Sequence, residues 1–598
     1  MNASPQASTS RADLLPILIL AAIQGWGLYG LHQSVPSHHW PATQPAWLVA
    51  LYCVLVLVPV TLQLLVEHVH KPALWAIAGL LGAALFYFGW HHGDAVIDPR
   101  HDRFNSPDAF FALGLVLLVW WLHVLPFVQN RLAAGRWTLD YPLLFIHAWR
   151  NAVRLAEAAL FTGLFWLILA LWQALFHMLG IDFFRDLFDE PLFVYPATAV
   201  TFGCALYLIG SIDRLVSAVL DQILNVLKWL ATITGVLLTL FTVALVGKLP
   251  GLVFTDQRAI GAGLLLWLIA VVVLFLNAAY RDGTVERPYP KPIALALRFS
   301  MPLMVVVAAT ALYALVVRTE HYGLTAERFW AFVVAGSATI YSIGYAGTAF
   351  RKGPWLSGIA HVNVAVALVL VVTIALALTP VLSPYRLAAN SQFRLVLQGR
   401  YDRPERQNLS GTPFGYLRFD AGEYGRRKLQ LLSNLQNHPN AEHIREMAAW
   451  ALQQSNSWEL TPLLEPRKLI AKLVMYPSGR VMDSDLAEAL ARDWTRWGIG
   501  DFLDSHGAAN AAGVFADLDG DGIDEFILLT GSSSAVYRNR SGRWEHVGQA
   551  YSRGTTYSPD KQWEAIHADL SNGALSVTNP DWKDLVVGSH RFRIESEH

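Results

Sequence analysis

The chain has 598 residues, 54% of them hydrophobic and only 15% charged, with a mean hydropathy of +0.35. That is well outside the usual soluble range of about 25% charged, so the composition argues against an ordinary soluble globule and for a membrane protein. A net charge of −1, with no block of consecutive basic residues, excludes nucleic acid as a partner.

The apolar residues are unevenly spread. Nearly all long apolar runs precede Thr379, whereas the remainder has an ordinary soluble composition. The predicted architecture is an α-helical polytopic membrane bundle over residues 1–380, followed by a soluble α+β part. That part divides into a mainly helical region (381–500) and a mainly β region (501–598). Crossing roughly 30 Å of hydrocarbon takes about 20 apolar residues. Eleven runs qualify: 14–31, 47–66, 73–90, 109–128, 156–179, 192–209, 223–246, 260–279, 293–317, 329–347 and 359–379. Lipid cannot satisfy open strand edges, so these runs are read as helices, with Pro16, Pro59, Pro126, Pro196 and Pro302 as kinks. The first run follows a segment whose only cation is Arg11 and lacks a small-residue cleavage site, which marks an uncleaved span. Cys53 and Cys204 fall inside spans as small hydrophobes.

Lys and Arg in the short loops set the orientation. One side collects Arg11, Lys71, Arg131, Arg136, Arg150, Arg154, Arg214, Arg281, Arg287, Lys291, Arg351 and Lys352. The other holds Arg100, Arg103, Arg185, Lys248, Arg258, Arg318 and Arg328. The richer side is cytoplasmic by that rule, and an odd number of spans then exports the C-terminal part to the periplasm.

The densest basic stretch leads into a helix starting at Asp140 and Pro142, an acidic cap followed by a proline suited to the first turn. His147, Arg150, Arg154 and Glu157 recur at three- and four-residue steps and share a helix face. Two readings stand. The more economical is an anchor lying along the cytoplasmic interface, its arginines meeting lipid phosphates, before the helix turns inward. The sharper is a polar track facing other helices, where ionisable groups mark a pathway or substrate site. Arg298 lies early in its own span and is read as snorkelling toward the same interface, or as an addition to that membrane site. Tyr341, Gly344, Tyr345 and Gly347 are expected to pack closely against a neighbouring helix. The exported loops carrying His32, His38, His39 and His91, His92, Asp94, Asp98, His101, Asp102 could together bind zinc or a similar metal if the loops meet, but they lack the spacing of a known zinc motif and read as exposed loop residues.

After Thr379 come helices over 384–399, 415–436 and 442–454, a strand over 469–476, and a helix capped by Asp483 with Leu486, Leu490 and Trp494 on one face. Short strands are expected at 514–516, 525–530, 535–538, 544–547, 566–569, 575–577, 585–587 and 592–594. Between the first two of these lies Asp517-Leu518-Asp519-Gly520-Asp521-Gly522-Ile523-Asp524-Glu525. Alternating carboxylates can converge on one ion while glycines permit the turn. The side chains of Asp517, Asp519, Asp521 and Glu525 with the Ile523 carbonyl would supply calcium's oxygens in a structural role, against a metal-free acidic turn as the alternative. An empty loop of this kind should repel itself.

Several phrases resemble a bacterial polytopic inner-membrane family of the unknown-function type. They are Trp149-Arg150-Asn151-Ala152 running into residues 160–166, Tyr322-Gly323-Leu324-Thr325 with Arg328, Ser391-Gln392 near Gly399-Arg400, and Tyr416-Leu417-Arg418-Phe419 with Tyr424-Gly425. The resemblance spans roughly 141–435 and implies a multi-span inner-membrane protein with a soluble tail; it carries over no catalytic residue. The acidic loop, outside that core, resembles one strand-flanked calcium loop of integrin-type FG-GAP repeats. With no nucleophile elbow, Walker loop or HExxH present, the expected function is a non-enzymatic, carrier-like or accessory component of envelope traffic. A membrane-anchored scaffold or sensor whose periplasmic domain binds an envelope protein is the first alternative. An enzyme on a lipid-linked substrate, using the His147–Glu157 face and Arg298, is the second.

Overall fold

The computed structural model describes residues 13–96, 107–254, 261–283, 288–351, 355–401, 409, 411–454, 470, 473–493, 511–530, 533–540, 542–551, 566–577, 585–587 and 590–592. They fall into two compact units, Met1–Leu395 with Asp420–Lys428, and Val396–Phe419 with Leu429–His598.

The first unit is helical: α1 (Leu14–Ser34), α2 (Pro45–Leu64), α3 (Pro72–Ala95), α4 (Pro107–Ala134), α5 (Tyr141–His177), α6 (Phe183–Asp189), α7 (Pro191–Ser211), α8 (Asp213–Phe254), α9 (Ala262–Tyr280), α10 (Lys291–Ser300), α11 (Leu303–Tyr322), α12 (Ala326–Ala349) and α13 (Ile359–Ala377). Among the described residues, eleven helical segments are long and apolar enough to cross a bilayer, α10 and α11 counting as one. Proline opens α2, α3, α5, α7 and α10, where its fixed φ suits the first turn and its missing N–H is no loss. Pro59, Pro126 and Pro196 stay inside their helices. Pro302, by contrast, divides α10 from α11.

Two expectations about α5 change. Asp140 stands at the N-cap position, but its side chain makes no capping bond. The helix also does not turn at its polar half. It runs unbroken for 37 residues, about 55 Å at 1.5 Å per residue. Tyr141, Phe145 and Val153 of the polar half are buried, whereas Leu160, Leu164, Leu167, Ile168 and Leu171 of the apolar half are exposed.

Two large apolar cores stand out among the described residues of this unit. One gathers α2, α3, α4 and α7 around Leu85 and Trp121; the other gathers α8, α9, α11 and α12 around Ile269, Met304 and Tyr345. α5 and α13 contribute to both, Tyr141 and Ile359 to the second core and Ala158 and Ile374 to the first. They form the seam. The Trp121 indole donates to Thr61 Oγ1 at 2.8 Å and the Trp120 indole to the Val371 carbonyl at 3.1 Å, fastening α4 to α2 and to α13.

Beyond α13, α14 (Pro384–Leu397) crosses from one unit to the other, so the division falls later than the expected boundary at 380. α15 (Pro413–Gly415) leads through a π-helical turn at Tyr416–Asp420 into α16 (Gly422–Ser433), followed by α17 (Ala441–Gln453). The second unit also holds a five-stranded sheet in the order β1 (Val474–Tyr476), β2 (Ala511–Ala516), β3 (Glu525–Thr530), β4 (Ser533–Arg540), β5 (Arg543–Tyr551), with β1 parallel to β2 and the rest an antiparallel meander. β6 (Leu585–Val587) and β7 (His590–Phe592) pair separately.

α18 (Ser484–Arg492) covers one sheet face, setting Leu486 and Leu490 against Phe515, Phe526 and Trp544. Residues 566–571, expected to begin with a strand, are helical and cover the other face through Ile566 and Leu570. Residues 575–577 have no regular structure. Trp494 lies outside the described residues. Asp483 accepts from the Leu486 amide at 2.6 Å and from the Trp544 indole at 3.0 Å, so it both caps α18 and ties it to β5. Asp483→Ala is expected to destabilise this packing by about 1–2 kcal/mol. Hydrogen exchange across α18 and β5 should quicken accordingly; unchanged exchange would refute the dual role.

Candidate functional site

At the seam between the two cores, α4, α5, α9, α12 and α13 enclose a cleft of about 410 Å3. Its walls are mostly apolar, including Leu122, Phe127, Phe145, Trp149 and Ala367, while its floor is polar. There the Asn363 amide donates to the Tyr141 hydroxyl at 2.9 Å and to Asn277 Oδ1 at 2.6 Å. The fully buried Tyr345 hydroxyl bonds Asn363 Oδ1 at 2.7 Å and Asn277 Oδ1 at 3.1 Å. Four helices therefore meet in one hydrogen-bonded cluster, the arrangement that satisfies polar groups inside an apolar bundle. Tyr341, on the same face of α12, lines the cleft. Gly344 makes the close packing expected of it, since a Cβ there would lie 2.6 Å from Val362 Cγ1; Gly347 faces open space.

The ladder on α5 adjoins this cleft without entering it. Ala148 and Ala152 face the cleft, whereas His147 and Asn151 are buried on a neighbouring face. Asn151 exchanges two amide hydrogen bonds with Gln129 of α4, at 3.0 and 2.8 Å. Arg150 donates to Ser217 Oγ of α8 at 3.3 Å. Arg154 and Glu157 follow, half-buried. One side of this half of α5 is thus packed against α4 and α8.

Arg298 stands apart from the ladder. Its guanidinium donates to the carbonyls of Ala349 and Arg351, at the C-terminal end of α12. Asp221 of α8 pairs with Arg281 at 3.0 Å. His91 and His92, expected in a loop, are in the last turns of α3, buried against the rings of Tyr424 and Tyr385. His32 lies in the last turn of α1 and His38 and His39 in the turn after it, while Asp98, His101 and Asp102 lie outside the described residues. Among the described residues the histidines form no metal-holding group.

Two of the phrases that carry the family resemblance meet in space. Between α11 and α12, Arg328 donates to the carbonyls of Tyr322 and Gly323, and Thr325 Oγ1 accepts from the Arg328 amide. From α14, Ser391 Oγ accepts from the Leu324 amide at 2.9 Å, and the Gln392 amide donates to the carbonyls of Tyr322 and Leu324. Gly323, at φ +74°, has the Leu395 and Gln392 side chains where a Cβ would stand. These residues lock a turn; their arrangement is structural.

The acidic loop closes the β2–β3 hairpin, with Ala516 opposite Glu525. Gly520 and Gly522 both take positive φ, as the tight curl requires. Asp517 accepts from the Gly520 and Gly522 amides at 2.7 and 3.0 Å, and the buried Glu525 accepts from the Leu518 amide at 2.8 Å. Carboxylate oxygens of Asp517, Asp519 and Glu525 lie within 4.8 Å of one another. Two ligands on one calcium at 2.3–2.6 Å are at most about 5 Å apart, so these three fit one ion. Asp521 does not join them: its Oδ1 accepts from the Ile523 amide, and its Oδ2 receives Arg538 of β4 at 2.9 Å. The same guanidinium reaches Asp519 at 2.6 Å and Glu525 at 3.8 Å. The Ile523 amide first, and Arg538 second, hold the Asp521 carboxyl below the usual carboxylate range. Arg538 of β4 thus sets a cation against the loop's carboxylates, which offsets the self-repulsion expected of an empty loop.

No family model matches the chain, and no curated protein and no solved structure matches it significantly.

Proposed function

We propose that this chain is a multi-pass protein of a bacterial inner membrane and a non-enzymatic, carrier-like component of envelope traffic, which takes a small molecule into the cleft between α4, α5, α9, α12 and α13. The carrying observation is the cleft itself, an apolar space with a convergent polar floor between spanning helices, the usual form of a small-molecule site. A solidly packed bundle would have favoured the scaffold. The phrases resembling the inner-membrane family, eleven candidate spans and the excess of Lys and Arg on one set of loops support a cytoplasmic N-terminus and a periplasmic tail. In that compartment calcium stiffens the acidic hairpin through Asp517, Asp519, Glu525 and the Ile523 carbonyl.

Single-cysteine variants on a Cys53→Ser/Cys204→Ser background test both halves of the proposal with a membrane-impermeant thiol reagent. Val481→Cys, at a position 84% exposed, should label from outside the cell. Ala152→Cys, in the cleft, should label in membrane vesicles, and its reactivity should alternate between the two vesicle orientations if the protein carries cargo across. Labelling of residue 481 only from the cytoplasmic side would overturn the topology; an inert residue 152 in both orientations would overturn the cleft reading.

A further inference from the structure

We infer that the cleft binds an amphiphile with an uncharged, carbonyl-bearing head, the chemistry shared by a quinone ring and a diacylglycerol ester. This names the substrate class of the cleft and so rests on the functional reading above.

Proton accounting in the floor defines the head. Both Asn363 amide protons are used, on the Tyr141 hydroxyl and on Asn277 Oδ1. Tyr345 spends its proton inside the cluster. Tyr141 and Asn277 therefore act as acceptors toward their neighbours, which leaves the Tyr141 O–H and the Asn277 amide protons to be donated. Both residues line the cleft, so it presents donors, and an acceptor oxygen is the group that answers them.

Charge excludes the commoner lipid heads. The residues lining the cleft include no Asp, Glu, Lys or Arg. His123, on the α4 wall, has its Nδ1 2.7 Å from the Val119 carbonyl; a carbonyl only accepts, so Nδ1 carries a proton. A phosphate buried here would meet neither Arg nor Lys, the residues on which phosphate recognition is built.

Position defines the tail. Tyr141 begins α5, Asn277 lies three residues before the end of α9, Tyr345 four before the end of α12, and Asn363 four after the start of α13. The polar floor is therefore within about 6 Å of one end of the bundle, at 1.5 Å per residue. The apolar walls continue inward from it. Ala148, Ala152 and Leu274 are exposed along the side, with Leu274 at 44%, so the cleft opens laterally, where acyl chains would lie. An amphiphile within one leaflet has this same order of head and tail.

The full-length chain, purified in detergent, is titrated in native mass spectrometry with decylubiquinone, 1,2-dioctanoylglycerol and, as the anionic control, dioctanoyl phosphatidate. One or both neutral probes should bind at one per chain, and which of them binds identifies the source of the head. Tyr141→Phe, which keeps the ring, and Asn277→Leu should each weaken binding about tenfold. Phosphatidate binding as tightly as the neutral probes, or a Tyr141→Phe variant with wild-type affinity, would overturn the head assignment while leaving a cleft that admits amphiphiles. Absence of any adduct would overturn the ligand class, and labelling at residue 152 decides separately whether the cleft reading falls with it.

Discussion

Gly93→Leu is expected to prevent α2 and α3 from docking and to leave a chain that aggregates on purification. Gly89 and Gly93 are four residues apart on α3, the small-xxx-small spacing that lets two helix backbones approach. A Cβ at position 93 would lie 2.5 Å from the Pro45 carbonyl oxygen and 2.7 Å from Ala46 Cα; at position 89 it would lie 2.6 Å from Ala50 Cα and 2.9 Å from Ala50 N. These are backbone atoms, so no rotamer change relieves the clash and the helices must separate. Overpacking ordinarily costs about 1–3 kcal/mol, and a backbone clash belongs at or above the upper end. Gly79 on the same helix meets nothing within 4 Å. Gly79→Ala should therefore be neutral, or stabilising by up to about 1 kcal/mol. The check is the fraction remaining monodisperse after heating, followed by size-exclusion chromatography. Equal melting of Gly93→Leu and the parent would disprove the close pairing. The effect should extend to the cleft, because α2 holds α4 through the Thr61–Trp121 bond and α4 is one of its walls.

Much of the bundle was legible because a span is a local property: about 20 apolar residues announce themselves wherever they pack. What was not legible depends on partners distant in the chain. The polar half of α5 read as interfacial because Arg150, Arg154 and Glu157 are costly in lipid. That reading gave no sign of its contacts with Gln129 and Ser217, neither of them near it in sequence. Asn277 and Asn363 were missed altogether. A lone amide in an apolar run has no periodicity, and these two meet across 86 residues; their only sequence signal was a polar group with no evident reason to be in a span. His91 and His92 were assigned to a loop because the apolar run ends at Trp90, whereas the helix continues to Ala95. Ile566 and Leu570 are spaced for a helix face, but so short a segment did not separate that period from alternation. The acidic hairpin was read correctly as a turn between strands, yet local spacing could not reveal a cation on β4.

That cation makes the last prediction: Arg538→Gln should tighten calcium binding about tenfold, because one competing positive charge leaves the ligand set. In the parent, Arg538 lies on Asp519 and Asp521 and within 3.8 Å of Glu525. Calcium must share those carboxylates with it, so affinity should be in the range of extracellular modules, roughly 10⁻⁴–10⁻³ M. Without metal, the arginine and the Ile523 amide favour ionised Asp521. Because the folded-state pKa of Asp521 is depressed, its contribution is present above its unfolded value, about 3.9, and is lost as the pH falls through the folded one. The metal-free hairpin should therefore loosen in acid. Arg538→Gln should loosen it already at neutral pH without calcium, and calcium should restore it. Hydrogen exchange of residues 517–525 in the full chain reads all three states. If calcium protects neither parent nor variant, the metal reading fails. If both are protected at the same calcium concentration, Arg538 does not compete. Only a variant that is looser without calcium and protected at lower calcium than the parent fits an arginine holding the loop in place of the ion.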